Sequence, residues 1–334
     1  MNSLSFETQQ GKRNSMLPLR FFLILSCIAC EVAAQAYPVK VVRVIVPFPP
    51  SGGTDAIARI FAPALGEALG QQVLIDNRAG ANGNVGTEIV ARSATDGYTL
   101  LFNGSGTLAI NPGLYRNLPY DSIRDFAPVS LIVLQPHVLV VHPSVPAKSV
   151  QELIALARSA PGKLNFASSG SGSLAHLAGE MFKTMAQVDM VHVPYKGAAP
   201  SLIDLIVGEV HLIFSSSPSV MPHVKANRLR ALAVTTAQRV AAMPGLPTVT
   251  AAGLPGFVIT GWYGLLAPVG TPAPVIARLN ADLVSTLRQA DVRQKLVGLG
   301  LDVETSTPQG FADFIKAEIA KYAKVVLSAK LKVD

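Results

Sequence analysis

The sequence predicts an α/β protein in which helices cover mainly parallel sheets. The first observation is an alternation of short apolar, β-rich runs with segments whose apolar residues recur at helical spacing. The second is that small loops rich in glycine and hydroxyl side chains follow several of these runs. Open α/β sheets bind their ligands at such strand ends, so these loops are the candidate functional positions.

Residues 1–36 read as an export signal that is removed from the mature chain. Arg20 precedes the apolar run 21–30, and Ala34-Gln35-Ala36 supplies the small residues that a signal peptidase requires. The run has about 10 residues, half of what a membrane-spanning helix needs. Met16 is an alternative start, and a lipoprotein cleaved before Cys27 is the alternative form.

The mature chain, beginning at Tyr37, contains no cysteine, because Cys27 and Cys30 both lie in the export signal. Its fold must therefore be held by an apolar core without disulfides, and its length fits two domains better than one. The full chain carries a net charge of +7. No cluster of lysine and arginine marks a nucleic-acid groove, and the mild positive charge favours small anions as ligands.

The first strand is predicted at Val41–Val46, and the loop that follows it is the strongest candidate for a ligand-binding loop. Prolines stiffen residues 47–50, and Gly52 and Gly53 then allow a ligand to approach the backbone closely. A helix beginning near Thr54 offers free N–H groups and the positive end of its dipole, which suits a carboxylate or a phosphate. An ordinary strand-to-helix turn is the alternative.

Further elements follow in order along the chain. The later strands are predicted at residues 73–76, 98–102, two within 128–141 around Gln135-Pro136, 164–167, 190–193, 210–214 and 229–235. The later helices are predicted at residues 153–157, 174–185, 201–207, 275–287 and 308–326. Pro63 lies within the first predicted helix and is expected to kink or restart it.

Two loops share the pattern G-x-G-x-x-A, at residues 104–109 and 170–175. This pattern occurs in dinucleotide-binding folds. After the first copy, Asn111-Pro112 interrupts any long helix, and after the second, Asp189 precedes its strand instead of ending it. A dinucleotide site needs both a helix on the loop and an acid at the end of the next strand. The sequence therefore predicts no cofactor, and both loops remain ligand-loop candidates.

A search for catalytic motifs finds no serine-hydrolase elbow, phosphate loop or zinc-protease motif. His176 and Glu180 are four residues apart on a predicted helix, but no third ligand is suggested, so no metal is expected. His176 is interpreted as a packing residue. The turn after His192 could place Tyr195 and Lys196 beside a ligand, and a solvated turn is the alternative.

Seven ordered motifs make the chain resemble the Bug family, the extracytoplasmic substrate-binding receptors of tripartite tricarboxylate transporters. The motifs lie at residues 47–55, 76–78, 96–100, 167–176, 192–197, 229–235 and 261–262. The likeness covers essentially all of the mature chain. It implies an α/β type II periplasmic-binding-protein (Venus flytrap) fold of two lobes. Lobe one would comprise residues 37–140 and 236–334, and lobe two residues 141–235.

The resemblance implies that loops from both lobes hold ligand carboxylates through N–H groups, hydroxyls and bridging waters. The residues of this chain at the matching positions are Phe48, Pro49, Ser51, Gly52, Thr54, Gly106, Thr107, Ser168, Ser169, Gly170 and Ser173. To these we add Tyr195 from the turn and Ser215 from a strand end. Ser51 replaces a glycine that the family usually has, and Ser215 stands where many relatives carry aspartate.

The expected function is non-catalytic capture of a small mono- or dicarboxylate without an amine group in the periplasm. The ligand would be delivered to the permease subunits of a tripartite tricarboxylate transporter or to a sensor, and the receptor is expected to be a monomer without a nucleic-acid partner. A periplasmic hydrolase or transferase with Ser169 or Ser173 as nucleophile is the alternative, and it lacks an evident base and acid pair.

Overall fold

The computed structural model describes residues 37–240, 243–328 and 331. The predicted export signal therefore lies outside the described residues. The strands are β1 Val42–Val46, β2 Val73–Asn77, β3 Thr99–Gly104, β4 Phe126–Gln135, β5 His137–Val141, β6 Asn165–Ser168, β7 Val191–Pro194, β8 Leu212–Ser216, β9 Arg230–Val234, β10 Gly261–Pro268 and β11 Asp302–Val303. No helix in the described part of the chain is long and apolar enough to span a membrane.

Helices connect most of these strands. The α-helices are α1 Gly53–Leu69, α2 Asn84–Ala91, α3 Asn111–Leu114, α4 Val150–Ser159, α5 Leu174–Ala186, α6 Ala198–Val207, α7 Ser217–Lys225, α8 Ala273–Arg288, α9 Ala290–Gly298 and α10 Pro308–Ser328. A 3₁₀ turn covers Ala81–Gly83, and a π-helix covers Gly106–Ile110. The sequence did not predict helices α2, α3, α7 and α9 or strands β10 and β11.

The first sheet has six strands in the order β11-β4-β10-β3-β1-β2. Strand β1 pairs in parallel with β2 and β3, as the βαβ pattern predicts, because helices α1 and α2 make the crossovers. Strand β10 is antiparallel to both β3 and β4. It enters from a distant part of the chain, so its direction could not be read from the local pattern.

The second sheet has five strands in the order β7-β6-β8-β5-β9. Strand β6 pairs in parallel with β7 and β8, whereas β5 is antiparallel to β8 and β9. Both sheets are therefore mixed, with parallel βαβ units and antiparallel strands near the chain crossings. The predicted α/β fold class, with helices flanking mainly parallel strands, is confirmed.

The chain passes from the first sheet to the second at Pro136 and returns between Val234 and Gly261. The hydroxyl of Thr235 ties the crossing segments together, donating to the carbonyl oxygens of His137 at 3.1 Å and Ile259 at 2.6 Å. The predicted boundary after residue 140 would cut β5, which pairs within the second sheet along its whole length. The division into two lobes itself stays a prediction.

Helix α1 runs through Pro63 without restarting. Pro63 lies on the exposed side of the helix, where solvent can satisfy the carbonyl oxygen that loses its helical partner. The buried side carries Ile57, Phe61 and Leu65 at helical spacing, and none of the three is more than 1% exposed. Burial of this face holds the helix together across the proline.

Candidate functional site

The loop between β1 and α1 is clamped by Asp55 from the first turn of α1. The Asp55 carboxylate accepts the N–H of Ser51 at 2.9 Å and the side-chain amide of Asn77 at 3.0 Å. The same Asn77 amide donates to the carbonyl oxygen of Phe48 at 3.0 Å, and Arg59 Nε donates to Asp55 at 2.8 Å. Ser51 has a φ of 65°, a left-handed conformation that favours glycine, and this clamp stabilises it.

Within this loop, Pro49, Ser51 and Gly52 are exposed. The Phe48 ring reaches the second predicted ligand loop: a Cβ placed at Gly83 would lie 3.2 Å from Phe48 Cζ and 2.6 Å from Thr107 Oγ1. Only a glycine fits between the two side chains. The structure therefore brings the first two loops together around Gly83.

Thr54 connects this loop to a tyrosine that the sequence reasoning missed. Thr54 is 7% exposed, and its hydroxyl donates to the phenol oxygen of Tyr263 at 3.3 Å. Tyr263 lies on β10 and stacks on Phe102 with ring centroids 5.6 Å apart. Burial raises the pKa of the Tyr263 phenol, so it stays neutral and can both donate and accept hydrogen bonds. The motif Gly261-Trp262, immediately before it, was the available signal.

In the second loop, the backbone of Gly106 borders open space, whereas the side chain of Thr107 is buried. A Cβ at Gly106 would meet no atom within 4 Å, because this backbone borders open space. Thr107 is 1% exposed, and its hydroxyl donates to the carbonyl oxygen of Asn82 at 3.1 Å. Thr107 thus binds the neighbouring loop with its side chain.

The third loop, Ser168–Ser173, uses two of its hydroxyls internally. Ser168 is fully buried, and its hydroxyl lies 2.7 Å from Nε2 of His192 and 3.1 Å from the N–H of Gly170. Ser173 is the N-cap of α5, where its hydroxyl accepts the N–H of His176 at 3.3 Å. The hydroxyl of Ser169 makes no hydrogen bond to any described residue.

Beneath this loop, the imidazole rings of His176 and His192 stack with centroids 3.6 Å apart and planes 9° apart. Phe166 stacks on the other face of His192 at 4.9 Å. The N–H of Gly172 donates to Nδ1 of His176 at 3.1 Å, so this nitrogen carries a lone pair. Burial lowers the pKa of both imidazoles to about 4, and nearby Lys183 adds to the shift. His176 is thus a packing residue, as predicted.

Gly170 and Tyr195 lie beside each other at the end of β6. Gly170 has a φ of 134°, and a Cβ there would come within 3.3 Å of the Tyr195 carbonyl oxygen. The Tyr195 phenol donates to Asp204 Oδ2 at 2.6 Å. Burial and the bond to Asp204 raise its pKa to about 12. The exposed Lys196 follows without a side-chain hydrogen bond to a described residue.

A cavity of about 230 Å³ lies where the ends of both sheets meet. Three predicted site residues line it: Gly106, Ser169 and Ser215. The other residues of its wall are Ser105, Gln135, His137, Leu174, Ala175, Ala198, Ile213, Phe214, Ser216 and Tyr263. None of these described residues carries the side chain of Asp, Glu, Lys or Arg. The remaining predicted residues, from Phe48 to Thr54, with Thr107, Ser168, Gly170, Ser173 and Tyr195, do not line it, and the ligand-binding role of all thirteen stays a prediction.

The polar groups of the wall include serine and tyrosine hydroxyls, the starts of two helices, the Gln135 side chain and the His137 imidazole. Ser215 is 5% exposed, and neither its hydroxyl nor those of Ser105 and Ser169 bonds to a described residue. Leu174 and Ala198 are the first residues of α5 and α6, and the first N–H groups of a helix have no acceptor within the helix. Such N–H groups and the positive ends of two helix dipoles favour an anion in the cavity.

A catalytic site with a serine nucleophile and a metal site both find little support among the described residues. Ser169 and Ser173 have no imidazole or carboxylate hydrogen-bonded to their hydroxyls, and Ser168, which does contact His192, is fully buried. No group of three metal-ligating side chains occurs in the described part of the chain. A larger groove of about 760 Å³, between α10 and residues 236–239, contains none of the predicted site residues.

Sequence comparison with known proteins finds matches that cover most of the chain. A sequence model described as "Tripartite tricarboxylate transporter family receptor" matches residues 57–331. The chain is 38% identical to Protein BugT of Bordetella pertussis over 314 residues, which cover 93% of this chain and 96% of BugT.

Two solved structures of similar proteins contain small acids. The structure of R. palustris Rpa4515 with adipate is 39% identical, has a TM-score of 0.78 and is matched over 89% of this chain and 100% of the other. MatC (Rpa3494) from Rhodopseudomonas palustris with bound malate is 34% identical, with a TM-score of 0.74, over 87% of this chain and 100% of the other.

Proposed function

Because the chain belongs to the family of tripartite tricarboxylate transporter receptors, we propose that it is a periplasmic solute-binding receptor that captures a small carboxylate. The ligand occupies the cavity of about 230 Å³ and is delivered to the permease subunits of such a transporter or to a sensor. The N-terminal export signal accounts for the location. This protein is not an enzyme in our proposal.

The composition of the cavity wall is the observation that carries this proposal. The wall presents three unpartnered serine hydroxyls and the starts of α5 and α6, all of which can donate to a carboxylate. Hydrogen bonds from neutral donors to a buried carboxylate are charge-assisted and therefore strong. An anion can thus be held without an arginine or lysine beside it.

The same wall argues against amino-acid ligands. A buried ammonium group needs a carboxylate or several acceptors, because an unpaired buried charge is very unfavourable. No aspartate or glutamate lines the cavity among the described residues, and Ser215 stands where relatives can carry aspartate. The proteins that bind adipate and malate in the similar structures hold acids without an amine.

The size of the cavity suits a small acid. A cavity of about 230 Å³ is smaller than the pockets of roughly 300–1,000 Å³ that hold drug-sized ligands. We therefore expect a mono- or dicarboxylate of a few carbons. Gly106 and Tyr263 lie on the side of the first sheet, and Ser169 and Ser215 on the side of the second, so a ligand that contacts both groups favours a closed form of the two lobes.

A thermal-shift screen with paired ligands tests the proposal. Succinate, glutarate, adipate and malate are compared with aspartate and glutamate, and the acids without an amine are expected to raise the melting temperature with concentration. Stabilisation by the amino acids but not by their deaminated partners would contradict our interpretation of Ser215. If no acid stabilises the protein, the receptor proposal itself fails.

The variant Ser215→Asp sharpens this test. An aspartate in the wall repels a bound carboxylate, so stabilisation by the acids without an amine is expected to be lost, and an ammonium group gains a partner. Ser285→Asp is the matched control, since Ser285 is exposed on α8, away from the cavity. Equal effects of the two variants would show that added charge acts nonspecifically.

A further inference from the structure

His137 is a titratable side chain in the cavity wall that the proposed function has not used. It is the first residue of β5, directly after the chain crosses between the sheets, and it is 6% exposed. Its main-chain oxygen accepts the N–H of Thr235 at 2.9 Å and the Thr235 hydroxyl at 3.1 Å. The His137 backbone is therefore fixed at the crossing, and the residue lines the cavity.

The hydrogen bonds of the ring define its tautomer. Nδ1 lies 3.2 Å from the carbonyl oxygen of Gln135, and because a carbonyl only accepts, Nδ1 carries the proton. In the neutral ring, Nε2 then has a lone pair, and it bonds to no described residue. Nε2 is not one of the buried side-chain atoms that lack a partner in the described part of the chain, so it is open to water or to a ligand in the cavity.

No charged side chain of a described residue lines the cavity beside the His137 ring and could contact the ligand there. The titratable or charged side chains on the surrounding elements are Arg230 on β9, Tyr263 on β10, His176, Glu180 and Lys183 on α5, Asp204 on α6, and His223 and Lys225 in the last turn of α7. Of these, only Tyr263 lines the cavity. Burial lowers the pKa of His137 to about 4, so the ring is neutral at physiological pH when no anion is present.

We propose that His137 takes up a proton from solvent when the carboxylate binds and that the resulting imidazolium donates from Nε2 to the ligand. This inference rests on the proposed function and adds proton-coupled binding to it. The physical reason is that a neutral Nε2 presents a lone pair to the carboxylate, which is unfavourable. The imidazolium instead presents an N–H and the positive charge that the wall lacks.

The pH dependence follows from the two protonation states. A carboxylate held against Nε2 raises the pKa of His137 by electrostatic attraction. Between about 4, the pKa of the free protein, and the higher pKa of the complex, binding takes up a proton. Affinity therefore rises as pH falls, by up to about tenfold per pH unit, and this rise ends below the pKa of the free protein.

Isothermal titration calorimetry with adipate and with malate tests the proposal on the full mature chain. Titrations in phosphate and in imidazole buffer, at about pH 6 and about pH 7.5, separate proton uptake from binding because the buffers differ in heat of ionisation. Proton uptake by the protein is expected to be larger at about pH 6 than at about pH 7.5, because more of the imidazole is protonated in the complex at the lower pH. The second carboxyl group of each diacid ionises at a higher pH than the first because of the first negative charge, so the protonation of the free acid is measured separately and subtracted.

Two variants test whether His137 is the residue that takes up the proton when the ligand binds. His137→Gln retains a polar side chain that does not titrate, so proton uptake should vanish and the affinity should become nearly independent of pH. His223→Gln is the matched control: His223 is a histidine on α7 with a lowered pKa, outside the cavity wall. It should keep the wild-type proton uptake and slope.

The outcomes distinguish a failure of the His137 proposal from a failure of the receptor proposal. Binding with no dependence of the measured heat on the buffer, or a wild-type pH slope in His137→Gln, would overturn the role of His137 while leaving the receptor proposal intact. Absence of binding by either acid would overturn the receptor proposal and this inference with it. If His137→Gln fails to fold, NMR titration of the wild-type imidazole decides the question: a pKa unchanged by adipate contradicts the proposal.

Discussion

Three serine hydroxyls, those of Ser105, Ser169 and Ser215, line the cavity without a partner among the described residues. Ser105 and Ser169 directly follow strands β3 and β6, and Ser215 is the next-to-last residue of β8. A hydroxyl that already has a structural partner, such as that of Ser168 or Ser173, is less available to a ligand. The distinction depends on where each side chain points, which a run of serines and glycines does not reveal.

At the residue scale, Ser169→Ala is expected to weaken carboxylate binding by about 10- to 150-fold, because a hydrogen bond to a charged group contributes roughly 1.5–3 kcal/mol. The free energy of unfolding should hardly change, since the hydroxyl bonds to no described residue. Calorimetry and urea unfolding measure the two quantities. Ser285→Ala on the exposed side of α8 is the control. Unchanged affinity with a loosened fold would make Ser169 a structural turn residue.

The stacked histidines predict an acid-sensitive fold. The pKa of His176 and of His192 is about 4 in the native protein, below the value of 6.5 for a free histidine. The unfolded chain therefore binds more protons between these values, and stability is lost as pH falls from about 6.5 to about 4, by at most about 1.4 kcal/mol per pH unit for each histidine.

Urea unfolding of wild type and His192→Gln at several pH values measures this effect. The variant should lose up to one histidine's share of the slope, because glutamine does not titrate but can still bond to the Ser168 hydroxyl. Above about pH 6.5 the pH dependence from this residue should disappear in both proteins. An identical slope in the variant would show that His192 does not contribute to acid sensitivity.

At the element scale, the loop before α1 depends on one carboxylate. Hydrogen bonding from Arg59 is the main cause that keeps the pKa of Asp55 below its usual value, and the bonds from Ser51 and Asn77 act in the same direction. The Asp55 side chain is 3% exposed, so the carboxylate is shielded from water, whereas the Arg59 side chain is 54% exposed. The clamp connects the end of β2 to the start of α1 and fixes the loop between them.

Asp55→Ala is therefore expected to lower the free energy of unfolding by about 1–3 kcal/mol, because it removes the hydrogen bonds that Ser51, Arg59 and Asn77 make to a buried carboxylate. It should also weaken ligand binding, since the loop that carries Thr54 loses its support. Urea unfolding and calorimetry measure both effects. Asp291→Ala is the control, because its ion pair with Lys295 is exposed and should contribute little. Equal losses in the two variants would contradict the clamp.

At the scale of the whole molecule, the cavity draws its wall from strands of both sheets, and the chain crosses between the sheets at Pro136 and near Thr235. The bond network of Thr235 joins the crossing segments at the same place. A ligand that binds both sides gains all its contacts only when the sides approach each other. Binding energy can therefore shift the population toward a closed form.

Small-angle scattering measures this closure. The radius of gyration should fall at saturating ligand, and the melting temperature should rise with ligand concentration. Adipate is a suitable probe once calorimetry has confirmed that it binds. An unchanged radius of gyration with confirmed binding would exclude the flytrap mechanism for this protein and would leave carboxylate capture in a preformed cavity.

The α/β class, the strands around Gln135-Pro136 and the ligand loops at strand ends could all be predicted from the sequence. These features are local: hydrophobic period, proline and glycine positions and cap residues act within a few neighbouring residues. The family followed from the same residues through resemblance. Ser169 and Gly106, which line the cavity, were among the predicted positions for this reason.

The rest was decided by contacts between distant segments. Strand β10 comes from far along the chain, so Tyr263 could not be predicted to bond to Thr54 or to enter the cavity. The sequence analysis did not single out His137, which lies directly after Gln135-Pro136, where the chain crosses between the sheets, and lines the cavity. Side-chain direction depends on the packing of both sheets together, and that packing separates hydroxyls that face the cavity from those that hold their own loops.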